Sequence, residues 1–191
     1  MGKLTELMEP KTPTGQVGAE PHHDLAIENT MAAWGGIPYT QLSIILVHLR
    51  YLAMVHQTHH WTAKGDPFYG DHQLFDRLYE KVVEEVDSIG ERAVGMGSEQ
   101  NVNLALQVIQ LAELVRGSDV GQTVPAPNDL AKRSMEAERR FLKVIKDMYN
   151  SLREDGLNSL GTENLLQGIA DTHEGHVYLL KQRCSSGALG F

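Results

Sequence analysis

The sequence predicts an all-α protein, a four-helix bundle with a short extra helix in the connection between its second and third long helices. Three observations carry this. Four long segments repeat apolar residues at helical spacing, glycine or proline punctuates their boundaries, and no alternating strand pattern interrupts them. Residues 1–36 come first. They hold Pro10, Pro13, Pro21, Gly35 and Gly36 with few large apolar side chains, and read as a flexible N-terminal arm with a short helical piece from Leu25 to Trp34. The bundle domain is expected over 37–184, and 185–191 is a Gly/Ser-containing tail.

In the first long helix Leu42, Ile45, Leu46, Leu49, Leu52, Ala53 and His56 share one stripe. Pro38 suits its first turn and Lys64-Gly65-Asp66-Pro67 stops it near Ala63. The second helix is predicted from Tyr69 to Val94, with Phe75, Leu78, Val82, Val86 and Ile89 facing inward and Gly95 and Gly97 ending it. Asn103 to Val115 reads as the short helix, and Pro125 and Pro127 close the connection that contains it. Asn128 is placed to cap a third long helix, Asp129 to Glu154, built on Phe141, Ile145, Met148 and Leu152 and ended by Gly156. Thr162 is taken as the N-cap of the fourth, which runs to Arg183.

Composition excludes several classes of function. The 191 residues suffice for one domain that buries about 70% of the surface its unfolded chain exposes. A formal charge of −8 argues against a surface that grips nucleic acid or anionic membrane all over. A single cysteine, Cys184, excludes an internal disulfide framework and a multi-cysteine zinc site, and points to a reducing compartment. No apolar run approaches the roughly 20 residues that span a bilayer, so no membrane role is expected. Met1 to Thr14 is polar and carries Pro10 and Pro13, unlike a signal peptide, and the cytoplasm is the expected location.

The nine histidines pose the functional question, because histidine is the commonest metal ligand. His60 stands eighteen residues after Leu42, five full turns, and so faces with the apolar stripe. On the second helix His72/Asp76 and Asp87/Glu91 are both i, i+4 pairs near one broad face. Two histidines and three carboxylates suit iron or manganese, and also zinc. Each part has a plainer alternative: a surface pair, a solvated acidic face beside Glu84 and Glu85, a hydrogen-bonded core histidine. Geometry adds a constraint. Fifteen residues separate the two pairs by roughly 22 Å along one straight helix, so a single centre cannot use both. Antiparallel packing on a twofold copy, crossing near Lys81 and Val82, would set one chain's His72/Asp76 opposite the other's Asp87/Glu91.

The run His59-His60-Trp61, Gly65, Phe68, His72, Phe75-Asp76, Tyr79, Asp87 and Glu91-Arg92-Ala93 resembles the Dps family, the ferritin-like miniferritins named as DNA-binding proteins from starved cells. The likeness is strongest over 40–98 and extends more loosely through the last two helices. It implies a dodecameric shell of ferritin-like bundles around an iron-storage cavity. It also implies a ferroxidase centre at each twofold interface, with His60, His72 and Asp76 from one subunit and Asp87 and Glu91 from its neighbour. The implied reaction oxidises ferrous iron, preferably with hydrogen peroxide rather than oxygen, and stores ferric mineral. Zinc or manganese are the implied substitutes for iron. Trp61 either intercepts an oxidising equivalent or packs at the interface. The rival intrasubunit di-iron site uses Glu-x-x-His on two helices. That string occurs here as Glu20-Pro21-His22-His23, in the proline-containing arm, so ordinary ferritin chemistry is disfavoured.

Other candidates have mixed readings. His173 and His176 are assigned to packing or interface hydrogen bonding, and His48 to packing or surface. His56 and His59 either shape the site or supply a secondary iron position. His22 and His23 offer a weak metal or pH-sensitive patch, or an ordinary solvated tail. Glu84 and Glu85 line the cavity or are solvated. Asp119, Asp129 and Glu136 lie where the family builds its threefold pore. In the arm two lysines, Lys3 and Lys11, face five carboxylates. Beyond it only Lys181 and Arg183 form a small basic patch near the C-terminus. DNA binding is therefore expected to be weak or absent, and a nucleoid-associated, DNA-binding Dps is the alternative.

Overall fold

A computed structural model describes residues 41–96, 99–118 and 125–185. Every regular element among them is helical. α1 runs Gln41–Thr62, α2 Phe68–Gly95, α3 Leu104–Arg116, α4 Leu130–Glu154 and α5 Leu160–Ser185. Short 3₁₀ turns at Glu99–Val102 and Pro127–Asp129 precede α3 and α4. The expected arm, 1–36, and the helical piece from Leu25 to Trp34 lie outside the described residues, as do Gly97 and Asp119.

α1 is the central element. It packs along α2 and α4, α4 packs along α5, and the short α3 leans on α1. Leu42, Ile45, Leu46, Leu49 and Leu52 are almost wholly buried and meet Val82, Ile89, Phe141, Ile145, Leu152 and Leu166 from the other long helices. Each such side chain contributes about 1.5–3 kcal/mol when fully buried, which holds helices that would be marginal alone. The backbones of α2 and α5 approach less closely. Long side chains bridge that seam: Arg183 of α5 holds the buried Asp71 of α2 through two guanidinium nitrogens.

Two of the predicted glycine stops take the left-handed conformation that ends a helix. Gly65 and Gly156 have φ of +81° and +69°, where an L side chain is disfavoured. At Gly156 the end of α4 is a Schellman motif: Leu157 N–H donates to the Leu152 carbonyl (2.9 Å) and Gly156 N–H to that of Arg153 (3.2 Å). One cap differs. Ser159, not Thr162, receives the free N–H at the start of α5, since the Thr162 N–H donates to Ser159 Oγ at 3.1 Å. Thr162 sits a turn inside, its hydroxyl 3.0 Å from Ser159 Oγ and bonded to Met96 Sδ. The Asn128 side chain lies outside what the structure describes.

Gly156→Ala is expected to destabilise the protein by about 1–2 kcal/mol, with Gly156→Asn costing less. The urea midpoint at fixed chain concentration checks this. An unchanged midpoint in the alanine variant would contradict the strain assigned to this turn.

Candidate functional site

Two groups of polar side chains stand out, one at the end of the α1–α2 hairpin and one in the bundle's centre. At the hairpin, His60 closes α1 and His72 opens α2, and the Gly65-containing turn folds them together. Their rings stack with centroids 3.8 Å apart. Each is fixed by the other's backbone: His60 Nδ1–H donates to the His72 carbonyl (3.0 Å), and His72 Nδ1–H to the His60 carbonyl (3.1 Å). These bonds assign the tautomer and leave Nε2 of both rings as the basic nitrogen. Outer hydrogen bonds of this type orient metal-binding histidines. Asp76 lies beside His60, its Oδ1 3.6 Å from His60 Nδ1.

Asp87 and Glu91 do not join this group. They are exposed on the same helix, eleven and fifteen residues beyond Asp76, hence roughly 16 Å or more along its axis. Exposed aromatics flank the hairpin: Trp61 is 68% exposed, Tyr69 75%, and Phe68 stacks on His72 at 5.1 Å.

The second group was largely missed by sequence reasoning. Glu138 of α4 has no exposed surface, yet His56 of α1 and His173 and His176 of α5 converge on its carboxylate. His56 Nε2–H donates to Oε1 at 2.7 Å, His176 Nδ1–H to Oε1 at 3.1 Å, and His173 Nδ1–H to Oε2. The far side of His173 donates from Nε2 to Glu85 Oε2 of α2 at 2.8 Å. Both nitrogens of His173 therefore face acceptors, which requires the doubly protonated, cationic ring. Burial opposes that charge, but the hydrogen bonds and charges of Glu138 and Glu85 outweigh it and raise the His173 pKa to about 9. Burial likewise opposes ionised Glu138. Its histidine donors hold it well below the usual carboxylate range.

Ser134 extends the chain of bonds. His59 Nδ1–H donates to Ser134 Oγ (2.7 Å), whose hydroxyl faces Nδ1 of His56 (3.3 Å). Burial, with the nearby charges of His56 and Arg133, lowers the His59 pKa to about 3, so this ring is neutral. Every long helix thus contributes, and the buried carboxylates and histidines satisfy one another.

Among the other candidates the readings of Glu85 and of the Lys181/Arg183 patch change, and the rest are narrowed. Glu85 is neither solvated nor cavity-lining but 5% exposed and bound to His173, whereas Glu84 is exposed and pairs with Lys81 at 2.9 Å. His173 and His176 make their hydrogen bonds inside the chain. His56 and His59 belong to this inner network, and His48 bonds the Ile44 carbonyl of its own helix at 2.9 Å. Arg183 is engaged by Asp71 and does not form a free basic patch with Lys181. Asp129 and Glu136 lie at the start of α4. His22 and His23 are outside the described residues. A signal for the inner network was present. Glu85 follows Val82 by three residues and Glu138 precedes Phe141 by three, which puts both carboxylates on core stripes. Two i, i+3 histidine pairs, His56/His59 and His173/His176, accompany them.

The ferritin-like domain family model matches residues 39–186. A nutrient stress-induced DNA-binding protein of Nostoc is 27% identical over 144 residues, 75% of each chain. A protein of the same name from Synechococcus is 28% identical, covering 72% of this chain and 74% of its own. The DNA protection during starvation protein of Helicobacter pylori is 27% identical over 59% of this chain and 78% of its own. The chain belongs to the Dps branch of the ferritin-like family. For a Dps protein the inner cluster is a notable use of core volume, because ionised side chains there cost more to bury than apolar ones. No helix of the described residues is long and apolar enough to cross a membrane.

Removing either part of the inner network should destabilise the fold, in a definite order. Glu138→Ala removes one of the two carboxylates that hold the His173 cation and leaves the His56 and His176 N–H groups without their acceptor, and is expected to cost about 3–5 kcal/mol. Ser134→Ala leaves the buried His59 N–H without its acceptor and should cost about 1–3 kcal/mol. Denaturant titrations of both variants measure the ordering, and a reversed order would contradict the charge assignment.

Proposed function

We propose that the chain is a Dps-type ferroxidase and iron store that protects against peroxide, working in the cytoplasm as a homo-oligomer, a dodecamer by family pattern. Ferrous iron is the substrate. Two ferrous ions each give one electron to hydrogen peroxide, or less favourably to oxygen. With peroxide, the O–O bond breaks to leave two hydroxides, and the ferric product hydrolyses to stored mineral. The oxidation site uses Nε2 of His60 and His72 with Asp76 from one subunit, and the partner's Asp87 and the partner's Glu91 across a twofold axis. The histidines position the cations while the carboxylates neutralise and bridge them.

The observation that carries this function is the stacked pair His60 and His72, both Nδ1–H groups already committed to backbone carbonyls, with Asp76 beside His60. Two further features support a shared site. Asp87 and Glu91 are too far along α2 to complete it within one chain, and the exposed aromatics beside it are of the kind that subunit contacts cover. Trp61 is thereby assigned to the contact, next to a ligand. Zinc and manganese suit the same donors, and zinc, being redox-inert, would occupy the site without turning over.

Anaerobic loading with ferrous iron, then peroxide, followed by ferric absorbance, tests the assignment. His60→Ala/His72→Ala should oxidise iron at least about tenfold more slowly, and a rate equal to wild type would remove the site. Light scattering checks assembly independently, since a monomer cannot form the proposed centre.

A second reading, DNA association, is favoured by the names of the Nostoc and Synechococcus relatives. Charge weighs against it here: each chain carries −8, and Arg183 is tied to Asp71. In a gel shift at neutral pH and moderate salt the assembled protein should leave duplex DNA unshifted. Retarded or compacted DNA would instead establish this second role.

A further inference from the structure

We propose that Glu138, His173 and His176, with His56 as fourth donor, form an intrasubunit site for one divalent first-row transition ion, independent of the proposed oxidation site. The candidate ligand atoms of Glu138, His173 and His176 already lie within 4.8 Å of one another, and all three residues are buried. His56 Nε2 and His176 Nδ1 stand 2.7 and 3.1 Å from the same oxygen, Glu138 Oε1. Donors around a tetrahedral ion with ligand distances of 2.0–2.1 Å lie about 3.3 Å apart, so the 2.7 and 3.1 Å separations need to change by a few tenths of an ångström and the widest, at most 4.8 Å, by up to about 1.5 Å.

The surroundings are those of a metal site. Glu85 accepts the outer N–H of His173, and the Ser134 hydroxyl meets the outer nitrogen of His56. Outer carboxylates and hydroxyls of this kind set the orientation and basicity of ligating imidazoles. Charge fits as well. Glu85 and Glu138 bring two negative charges into the core, and the cationic His173 offsets one of them. A divalent ion that takes the place of the proton on His173 Nδ1 balances both, while Nε2–H stays on Glu85. The other two rings need only move their single hydrogen to the outer nitrogen.

The donor set distinguishes this site from the intrasubunit di-iron pattern. That pattern takes Glu-x-x-His from two helices. Here α2 offers Glu85-x-x-Ser88 and α5 offers His173-x-x-His176, and the Ser88 hydroxyl is exposed and bonded to the Glu84 carbonyl. With one carboxylate free to bind and three imidazoles, a single ion is accommodated and bridging ligands for a second are lacking. Nitrogen-rich, enclosed coordination of this type suits zinc and its neighbours in a structural role. The loose α2–α5 seam supplies a route inward. A cleft of about 530 Å³ opens there, edged by Glu80, Glu84 and Asp171, with His176 in its lining.

Cobalt(II), added alone to chelator-stripped full-length protein, is the probe, read by its visible ligand-field bands and by bound metal per chain after desalting. In the His60→Ala/His72→Ala background, where the proposed oxidation site is gone, about one ion per chain should remain. Adding Glu138→Gln should cut that retention at least about tenfold with helical circular dichroism preserved. Retention below about a tenth of an ion per chain in the double variant overturns the proposal, and so does equal retention after Glu138→Gln. Should that chain fail to fold, the cobalt anomalous signal from crystals of the double variant decides. A peak among Glu138, His173 and His176 upholds the site, and its absence there overturns it.

Discussion

The ionised Glu138 side chain, at zero exposure, is the constraint around which the bundle is organised. A carboxylate there has lost its water and must find every donor within the protein. Its donors come from α1 and α5, and α2 joins through Glu85 and His173. Apolar stripes tolerate small slips of register because one leucine can replace another at a contact. Hydrogen bonds of 2.7 to 3.1 Å do not, so the network fixes how far each helix slides along its neighbours. Specific alignment of this sort is what a polar core contributes when an apolar one would be at least as stable.

The same constraint explains the division of labour on α2. Glu85 follows Asp76 by nine residues, about 180° of helical rotation, and precedes Asp87 by two, about 200°. The face that reaches His173 therefore leaves His72, Asp76, Asp87 and Glu91 on the other side, away from the core. With these carboxylates outward, the proposed oxidation centre depends on a second subunit, and the interior of the bundle is left for a different use. One helix of 28 residues would thus serve both proposed metal sites without their competing for the same ligands.

The helices were legible in the sequence because their information is local. A stripe such as Leu42, Ile45, Leu49 and Leu52 and a stop such as Gly156 are decided within a few residues of themselves. The cap of α5 was misplaced by one turn since Ser159 and Thr162 both have hydroxyls at capping distance, and the choice rests on which N–H is free. The approach of His72 and Asp76 to His60 was legible because a hairpin brings together residues only twelve to sixteen apart. The inner network was not, although its members lay on core stripes. Its contacts join residues separated by 35 to 88 positions, and nothing near Glu138 in the chain specifies which histidines will face it.

Arg183 shows how the fold narrows a function that composition alone leaves open. In the sequence it is half of a small basic patch beside Lys181, the best remaining candidate for a phosphate contact. In the fold its guanidinium is spent on Asp71, closing the far end of the seam between α2 and α5. That carboxylate is 2% exposed, so releasing Arg183 to bind phosphate would strand a buried charge, which costs far more than one surface phosphate contact returns. The arginine is therefore structural: its pair with Asp71 is neutral, so the net charge of −8 is unchanged while one guanidinium is withdrawn from contact with a polyanion. That supports the reading in which such a surface favours cations over DNA.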